Sequence, residues 1–265
     1  MSAPNRPTFR RIADEIRAAI DNGTYAPGSK LPTDAELAAQ MGVTRTLIGD
    51  ALQLLTTDGI VTKTRKGTFV SSFTSKINRD ANTRYTKSFR ESTTADGTKA
   101  RGAFDAELRA RGLTPKTDLQ VKRVVPPNHV ADLLGIPANE VLVVSRARVM
   151  FAVKEDGDEV PVQVATSYLP GDIAFGTVLE TPDTGEGGLI SRLADLGHRQ
   201  SRISETIQVR RPSEAEATAL NLTEDQRVYE ITHSARTATD RVVEVTNHIL
   251  PVHLWNLTYA WDLEG

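Results

Sequence analysis

GVTRTLIGDALQLLTTDG, residues 42–59, decides the fold of the N-terminal part of the chain. Its apolar residues recur three and four positions apart, which predicts a helix with one face packed on a core. These core positions are Ile48, Ala51, Leu52 and Leu55. The opposite face carries Arg45 and, one turn later, Gly49, a residue type that costs a helix about 1 kcal/mol relative to Ala. The stretch therefore predicts a helix whose outward face serves a partner rather than the core.

Two shorter helices precede this one, and a hairpin follows it. Residues 9–22 have helical spacing after Thr8, and Thr33 with Glu36 has the spacing of a capping box at the start of the next helix. Two short strand-like runs, IVTKT and TFVSS, flank residues 65–67 and predict the hairpin. This order makes a winged helix-turn-helix, in which the third helix enters the major groove of DNA. A small helical bundle without a ligand is the alternative, and the basic hairpin tip disfavours it.

The remainder of the chain changes character twice. Residues 73–102 are rich in Ser, Thr, Asn, Asp and Gly, which predicts a solvated linker that is partly disordered when free. Residues 103–265 show many strand-like runs and few helices, with some hairpin-length connections. We therefore expect a winged helix over residues 1–72, a linker over 73–102, and an α+β domain on a mainly antiparallel sheet over 103–265.

Composition is that of an ordinary globular protein, but the charge is uneven. The 265 residues are 39% apolar and 25% charged and include no cysteine, which excludes disulfides, a thiolate nucleophile and Cys-ligated zinc. Residues 1–76 hold 10 Lys or Arg against 7 Asp or Glu, whereas residues 103–265 hold 16 against 24. A basic part beside an acidic part is typical of a nucleic-acid module joined to another domain, although ordinary scatter produces similar differences.

Several functional classes find no support in the sequence. The N-terminal residues MSAPNRPTFRR lack the apolar core of a secretory signal, and no run approaches the roughly 20 apolar residues of a membrane span. The five histidines are scattered, without an HExxH pair, a GxSxG elbow or a phosphate-binding GxxxxGK[ST] loop. We therefore expect a cytoplasmic protein with no membrane partner, no catalytic residues, no metal and no cofactor.

About 60 N-terminal residues resemble the DNA-binding domain of the GntR family of bacterial transcription regulators. The matching segments, in unbroken order, are PGSKLPT, ELA, GVTRT, DGIV and KGTFV. The C-terminal part is similar to the UTRA effector-binding domain of the HutC subfamily, whose fold is related to chorismate lyase. Its matching segments are FDAELRARGLTP, DLLGI, VVSRARV, VATSYLP, SEAEATALNL and VVEVTNHIL. The resemblance implies a homodimer that binds a near-palindromic, double-stranded operator.

The resemblance and the residue chemistry indicate which groups contact DNA. Arg45 can reach guanine O6 and N7 with both arms of its guanidinium, which is worth about 1–3 kcal/mol of base discrimination. The hairpin tip, or wing, supplies further charge. The full set expected at the DNA is Arg10, Thr33, Thr44, Arg45, Thr46, Gly49, Lys63, Arg65, Lys66 and Gly67.

This chain departs from the family pattern at the DNA face. Members commonly have an arginine where it has Ala35 and another where it has Gly49, and its wing is one residue shorter, with a single glycine. If those arginines read bases, the operator of this protein differs from the common family site. Weaker binding that requires clustered sites is the lesser alternative, and a helix that sits deeper in the groove is another explanation for Gly49.

UTRA domains bind small, often anionic metabolites. Arg146 and Arg148 lie two positions apart on a predicted strand and share a face, and a guanidinium matches carboxylate or phosphate in shape. The full set that the resemblance implies at the effector is Phe104, Arg146, Arg148, Ser167, Tyr168 and Glu244. A solvent-facing strand or an ordinary salt bridge is the alternative for the two arginines. Members that bind sugar phosphates tend to have Glu at Ala165 and Tyr at Leu250, so an amino-sugar phosphate is not expected.

These observations predict a transcriptional regulator, a repressor whose operator binding changes when a small metabolite occupies the C-terminal domain. Two alternatives stay open. In one, the C-terminal domain only dimerises, through the strands VLVVSRARV and SRISETIQV. In the other, a lyase-like enzyme is fused to a DNA-binding domain, although no catalytic constellation is visible.

Overall fold

The chain forms two compact units. One is Met1–Lys76 together with Thr223–Arg227, and the other is Ile77–Leu222 together with Val228–Gly265. The computed structural model describes residues 8–71, 76–93, 97–155 and 157–263 of the chain. Within these ranges, no helix is long and apolar enough to cross a membrane.

The first unit is a winged helix-turn-helix, as predicted. Its elements are α1 (Phe9–Asp21), α2 (Asp34–Met41), α3 (Arg45–Thr57), β1 (Val61–Thr64) and β2 (Gly67–Val70). A threonine hydroxyl caps the start of each helix. The hydroxyls of Thr8, Thr33 and Thr44 each accept a hydrogen bond from the backbone N–H of the residue three positions later. Gly42 ends α2 with a left-handed φ of 66°, which permits the short turn into α3.

The core of this unit confirms the helical pattern read from residues 42–59. The four core positions of α3 that the sequence predicts are at most 1% exposed. They pack against Ile12 and Ile16 of α1 and Leu37 of α2 in one apolar cluster. Burial of this face fixes the opposite face of α3 toward the outside.

The wing is a two-stranded ribbon, and a strand-like segment at Lys30 is added to it. β1 and β2 pair antiparallel from Val61 with Val70 to Thr64 with Gly67, so Arg65 and Lys66 form a two-residue turn. The Thr64 hydroxyl accepts from Lys66 N at 3.1 Å and donates to Gly67 O at 3.1 Å. Gly67 has φ of 130°, a conformation that residues with a side chain rarely adopt.

The second unit is built on one antiparallel six-stranded sheet, in the order β4-β5-β6-β9-β8-β7. These strands are β4 (Thr114–Val124), β5 (Val143–Val153), β6 (Glu159–Pro170), β7 (Arg202–Arg210), β8 (Val228–Arg236) and β9 (Val242–Pro251). The helices are α4 (Ala81–Arg84), α5 (Lys87–Arg90), α6 (Ala103–Arg109), α7 (Asn128–Leu134), α8 (Gly171–Ala174), α9 (Gly188–Asp195) and α10 (Glu214–Ala219). The α+β architecture with a mainly antiparallel sheet is therefore confirmed.

The segment that the sequence predicts as a linker departs from that prediction over residues 77–93. Residues 77–80 form β3 (Ile77–Asp80), which pairs in parallel with β10 (Trp255–Thr258), and α4 and α5 follow. Residues 73–75 and 94–96 of the predicted linker lie outside the described ranges. A polar composition usually signals solvation, but here the polar side chains find buried partners.

Three arginines of this segment are the reason for its order. Arg79 is 1% exposed and pairs with Glu205 of β7, and Arg84 pairs with Glu107 of α6 at 2.5 Å. Arg90 donates to Gly187 O and to Ser191 Oγ, each at 2.8 Å. All of these partners are distant in the sequence, so a local composition argument misses them.

Glu205 is the most heavily bonded of these carboxylates. Besides Arg79, it accepts hydrogen bonds from Tyr85 at 2.5 Å and from Tyr259 at 2.7 Å. Burial alone raises the pKa of Glu205, but hydrogen bonding and the charge of Arg79 outweigh it and hold the pKa below the usual range. The pair is therefore charged and buried on both sides.

We predict that Arg79→Met strongly destabilises the second unit. Removing one member of a buried ion pair leaves the other charge uncompensated, which costs about 3–5 kcal/mol. Urea unfolding followed by the fluorescence of buried Trp255 measures the loss. The matched control is Arg101→Met, because the pair of Arg101 with Asp183 is exposed and is worth at most about 1 kcal/mol. Equal midpoints for the two variants contradict the anchoring role of Arg79.

Candidate functional site

The start of α3 presents the side chains that the sequence predicts for DNA. Arg45 is the first residue of the helix, and Arg45 and Thr46 are both exposed. Thr44 has a structural role as well, because its hydroxyl accepts from Leu47 N at 3.4 Å and caps the helix. The three residues thus form a polar, cationic helix start that is open to solvent.

Gly49 lies on the same outward face, in open space. A β-carbon added at this residue would meet no atom within 4 Å beyond its own helix. Neither core packing nor a left-handed backbone requires glycine here, since Gly49 is in regular helix and has an ordinary φ. The reason for this glycine is therefore to be sought in what the helix contacts.

The wing presents three exposed cations. Lys63 lies on β1, and Arg65 and Lys66 form the turn, before Gly67 opens β2. The ion pairs described in the first unit join Arg11 to Glu15, and Arg17 to Asp14 and to Asp58. None of these described pairs neutralises the wing.

Arg10 and Thr33 complete the predicted set. Arg10 is exposed on α1, where its guanidinium carbon lies 5.8 Å from the Phe9 ring centroid. The Thr33 hydroxyl lies 2.8 Å from Glu36 Oε2, and Thr33 N donates to the same oxygen at 2.7 Å. These two hydrogen bonds lower the pKa of Glu36. Thr33 is therefore engaged in capping α2, and any DNA contact it makes comes in addition.

The second unit contains a cavity of about 510 Å³ that is lined by residues from the sheet, from α6 and from the segment before α9. Four of the six predicted effector residues line it, namely Phe104, Arg146, Arg148 and Glu244. Its volume suits a small metabolite. Apolar side chains such as Leu119 and Met150 share the walls with the charged groups.

Arg146 is committed to the backbone beside the cavity. Its guanidinium donates to the carbonyl oxygens of Leu179 at 2.8 Å, Thr181 at 2.6 Å and Pro182 at 2.9 Å. Burial and then the nearby charge of Arg148 lower the pKa of Arg146 to about 10, so it stays charged at neutral pH. Its first role is to hold this loop in position. This role differs from both alternatives considered for it, a solvent-facing position and an ordinary salt bridge.

Arg148 is held by a polar network and keeps a free donor. It donates to Ser167 Oγ, and its Nε is buried with no hydrogen-bond partner among the described residues. Ser167 lies behind the cavity wall, at 2.6 Å from Thr246 Oγ1 and 3.3 Å from Glu244 Oε1. Burial lowers the pKa of Arg148, and the carboxylate of Glu244 opposes this effect.

Glu244 is occupied mainly by this network. Its Oε1 is 2.7 Å from Thr246 Oγ1, and its Oε2 accepts from Gln200 Nε2 at 2.9 Å. The carboxylate thus supports Ser167 and, through it, Arg148. This indicates a role in orienting the arginine rather than in binding a ligand amine directly.

Tyr168 does not join the other predicted residues. Successive side chains of a strand point to opposite faces, so the residue after Ser167 turns away from the cavity. Tyr168 packs instead with Val130 of α7 and Val245 of β9 in an apolar cluster. The resemblance that grouped it with Ser167 does not account for this alternation.

Several cavity residues are missed by the sequence analysis. Arg84, Tyr85 and Arg90 come from the segment expected to be a linker, and no local signal identifies them. Thr246 and His248 follow Glu244 at i+2 and i+4 on β9, so strand alternation alone indicates them. Burial and the charges of nearby arginines lower the pKa of His248 well below its ordinary value, which keeps this ring neutral at pH 7.

The two units define a class: a winged-helix DNA-binding protein that carries a separate ligand-binding domain. Residues 8–70 match the family model of bacterial regulatory proteins of the gntR family, and residues 110–253 match that of the UTRA domain. The chain therefore belongs to the GntR family of transcriptional regulators, with the domain pair of the HutC subfamily.

Individual relatives agree with this assignment. An uncharacterized HTH-type transcriptional regulator, SCO4628 of Streptomyces coelicolor, is 30% identical over 99% of this chain and 94% of its own length. The histidine utilization repressor of Pseudomonas putida is 36% identical over 24% of this chain and 27% of its own. The crystal structure of PhnF from Mycobacterium smegmatis has a TM-score of 0.57 at 20% identity, covering 96% of this chain and all of that one, and shows the shared fold.

Proposed function

We propose that the protein is a one-component repressor that binds a near-palindromic operator as a homodimer and responds to a small anionic metabolite in the cavity of its second unit. The outward face of α3 carries the proposal, because Arg45 and Thr46 are exposed at the helix start while the opposite face is fully buried. The exposed wing cations Lys63, Arg65 and Lys66 supply charge for the DNA backbone. Membership of the GntR family supports the same role.

The chemistry of the cavity supports an anionic effector. Three of its arginines, Arg84, Arg90 and Arg148, each have a buried Nε without a described partner. Glu244 already accepts hydrogen bonds from its neighbours, so it competes little with an anionic ligand for the arginine donors. A buried guanidinium donor gains most from a charged acceptor such as carboxylate or phosphate. The apolar walls favour a ligand with some hydrocarbon surface.

The edge of the sheet supports the homodimer. β7 ends the strand order, and it exposes Ile207 and Val209, the latter at 59%. An open edge strand with exposed apolar residues is a ready surface for pairing with a second copy. β5, the other strand considered for dimerisation, has a neighbour on both sides and offers no free edge.

Coupling between ligand and DNA follows the chain itself. The segment that comes directly after the winged helix in sequence contributes Arg84, Tyr85 and Arg90 to the cavity wall. A ligand shifts DNA binding only if it binds more tightly to one of two conformations of the protein. A ligand that forms bonds with these arginines can favour the conformation in which they line the cavity. In this proposal the effector changes the spacing or mobility of the two DNA-binding heads.

We predict that Arg45→Ala weakens sequence-specific DNA binding. Loss of a bidentate guanine contact worth about 1–3 kcal/mol lowers affinity about 5- to 150-fold for each half-site of the cognate operator. A fluorescence-anisotropy titration with the DNA upstream of the gene, at fixed salt, measures it. Lys122→Ala removes an exposed charge from β4 and serves as the matched control. If Arg45→Ala binds the cognate site as wild type does, the assignment of α3 as the reading helix is wrong.

A second prediction concerns Gly49, and we favour a deleted reading group over a steric role. Gly49→Arg is then expected to keep DNA binding and to shift the preferred sequence, because the added side chain enters open space on the reading face. Site selection from a randomised DNA pool reveals the shift. Gly49→Ala is the control, since it adds bulk without a reading group. Loss of binding in both variants points instead to close approach of the bare backbone.

A third prediction tests the effector site. Inorganic phosphate and a panel of mono- and dicarboxylates are screened for a rise in the melting temperature of the protein. Arg148→Met is expected to abolish the rise caused by any anion that stabilises the wild type, because it removes a guanidinium that lines the cavity and has an unpartnered Nε. Arg123→Met is the control, as its pair with Glu180 lies outside the cavity. A rise retained in Arg148→Met contradicts the site, and no rise with any anion favours a domain that only dimerises.

A further inference from the structure

Lys30 is tied to the wing, although the sequence shows it only as part of a turn before α2. Backbone hydrogen bonds join its segment to β2: Leu31 N donates to Thr68 O at 2.9 Å, and Val70 N donates to Ser29 O at 2.9 Å. Lys30 itself forms an antiparallel bridge with Phe69. The segment therefore acts as a third, short strand of the wing, and the backbone of Lys30 is fixed against β2.

The side chain of Lys30 crosses the wing directly over Gly67. A β-carbon built on Gly67 would stand 2.6 Å from Lys30 Cε and 3.3 Å from Lys30 Nζ. The lysine stem thus occupies the space that any larger residue at this position needs. The positive φ of Gly67 favours glycine at this position, and its lack of a side chain leaves the space in which the end of Lys30 lies.

This arrangement brings a fourth cation to the base of the wing turn. Lys30 is exposed, and it takes no part in the ion pairs described in the first unit, which involve Arg11 and Arg17. The charge of Lys30 contributes to lowering the pKa of Glu36, whose carboxylate is engaged by Thr33. The ammonium is thus held near the wing backbone without a committed acidic partner.

We propose that Lys30 is a DNA-binding residue that contacts a phosphate beside the wing, with Gly67 as the residue that positions it. The inference rests on the proposed binding of operator DNA. Phosphate is the expected partner because an ammonium is a compact point charge that carries no base-specific pattern. Fixing the backbone of Lys30 to β2 and its stem over Gly67 reduces the freedom that the side chain loses on binding.

The test compares the salt dependence of DNA binding for wild type and Lys30→Met, which keeps the length of the stem and removes the charge. Each phosphate contact contributes about 0.9 to the slope of log K against log salt concentration. Because the proposed homodimer carries two copies of Lys30, we expect the slope of Lys30→Met to fall by about 1.8, with weaker binding at low salt and an unchanged sequence preference. Lys30→Arg is expected to keep the wild-type slope, and Lys122→Met, which removes an exposed charge elsewhere, is also expected to keep it.

Other outcomes overturn the inference or locate the failure. A wild-type slope in Lys30→Met means that Lys30 contacts no phosphate, provided that Arg45→Ala weakens specific binding in the same assay. Should Arg45→Ala have no effect, the proposed reading of DNA by α3 fails as well. Lys30→Gln is a second neutral variant, and unchanged amide exchange at Leu31 and Val70 shows that the wing is still folded in each variant. A reduced slope accompanied by fast exchange at these amides contradicts the phosphate role and indicates a structural one.

Discussion

A guanidinium group removed from water needs hydrogen-bond acceptors within the protein. The structure of the second unit depends on the acceptors that it provides for its buried arginines. Arg79, Arg84 and Arg90 follow the winged helix in sequence and are buried against acceptors from β7, α6 and the start of α9. Their bonds turn a polar segment into β3, α4 and α5 and make it part of the cavity wall. Because removing one member of a buried pair leaves the other charge uncompensated, these pairs hold the segment to the rest of the second unit.

The same constraint shapes the ligand cavity. Arg146 donates to three backbone carbonyls. Arg148 donates to Ser167, which is itself bonded to Glu244, and the Nε of Arg148 has no described partner. Two arginines on one strand face therefore differ in their bonding: Arg146 holds a loop beside the cavity, and Arg148 retains an unpartnered donor. The spacing that predicts a shared face is right for both residues. It contains no information about their hydrogen-bond partners, which come from loops far away in the chain.

How much the sequence predicts varies with the range of the interactions. The winged helix depends on local signals, namely helix caps, apolar spacing and turn glycines, and both its elements and the core face of α3 follow from them. A mainly antiparallel sheet is likewise predicted, from strand-like runs and hairpin-length connections. The linker prediction fails over residues 77–93 because Arg79 and Arg84 are satisfied by Glu205 and Glu107, more than 20 positions away. Tyr168 is misplaced for another reason, as it follows Ser167 directly and must face the other side of the sheet.

The central claim is that two copies of α3 read a two-fold operator and that a cavity ligand changes this binding. Hydroxyl-radical footprinting of the DNA upstream of the gene, with and without an anion that raises the melting temperature, tests it most directly. The account predicts two protected patches about one helical turn, or a multiple of it, apart, with two-fold symmetry and altered protection when the anion is present. A single unsymmetrical patch, or symmetrical protection that no stabilising anion changes, contradicts it.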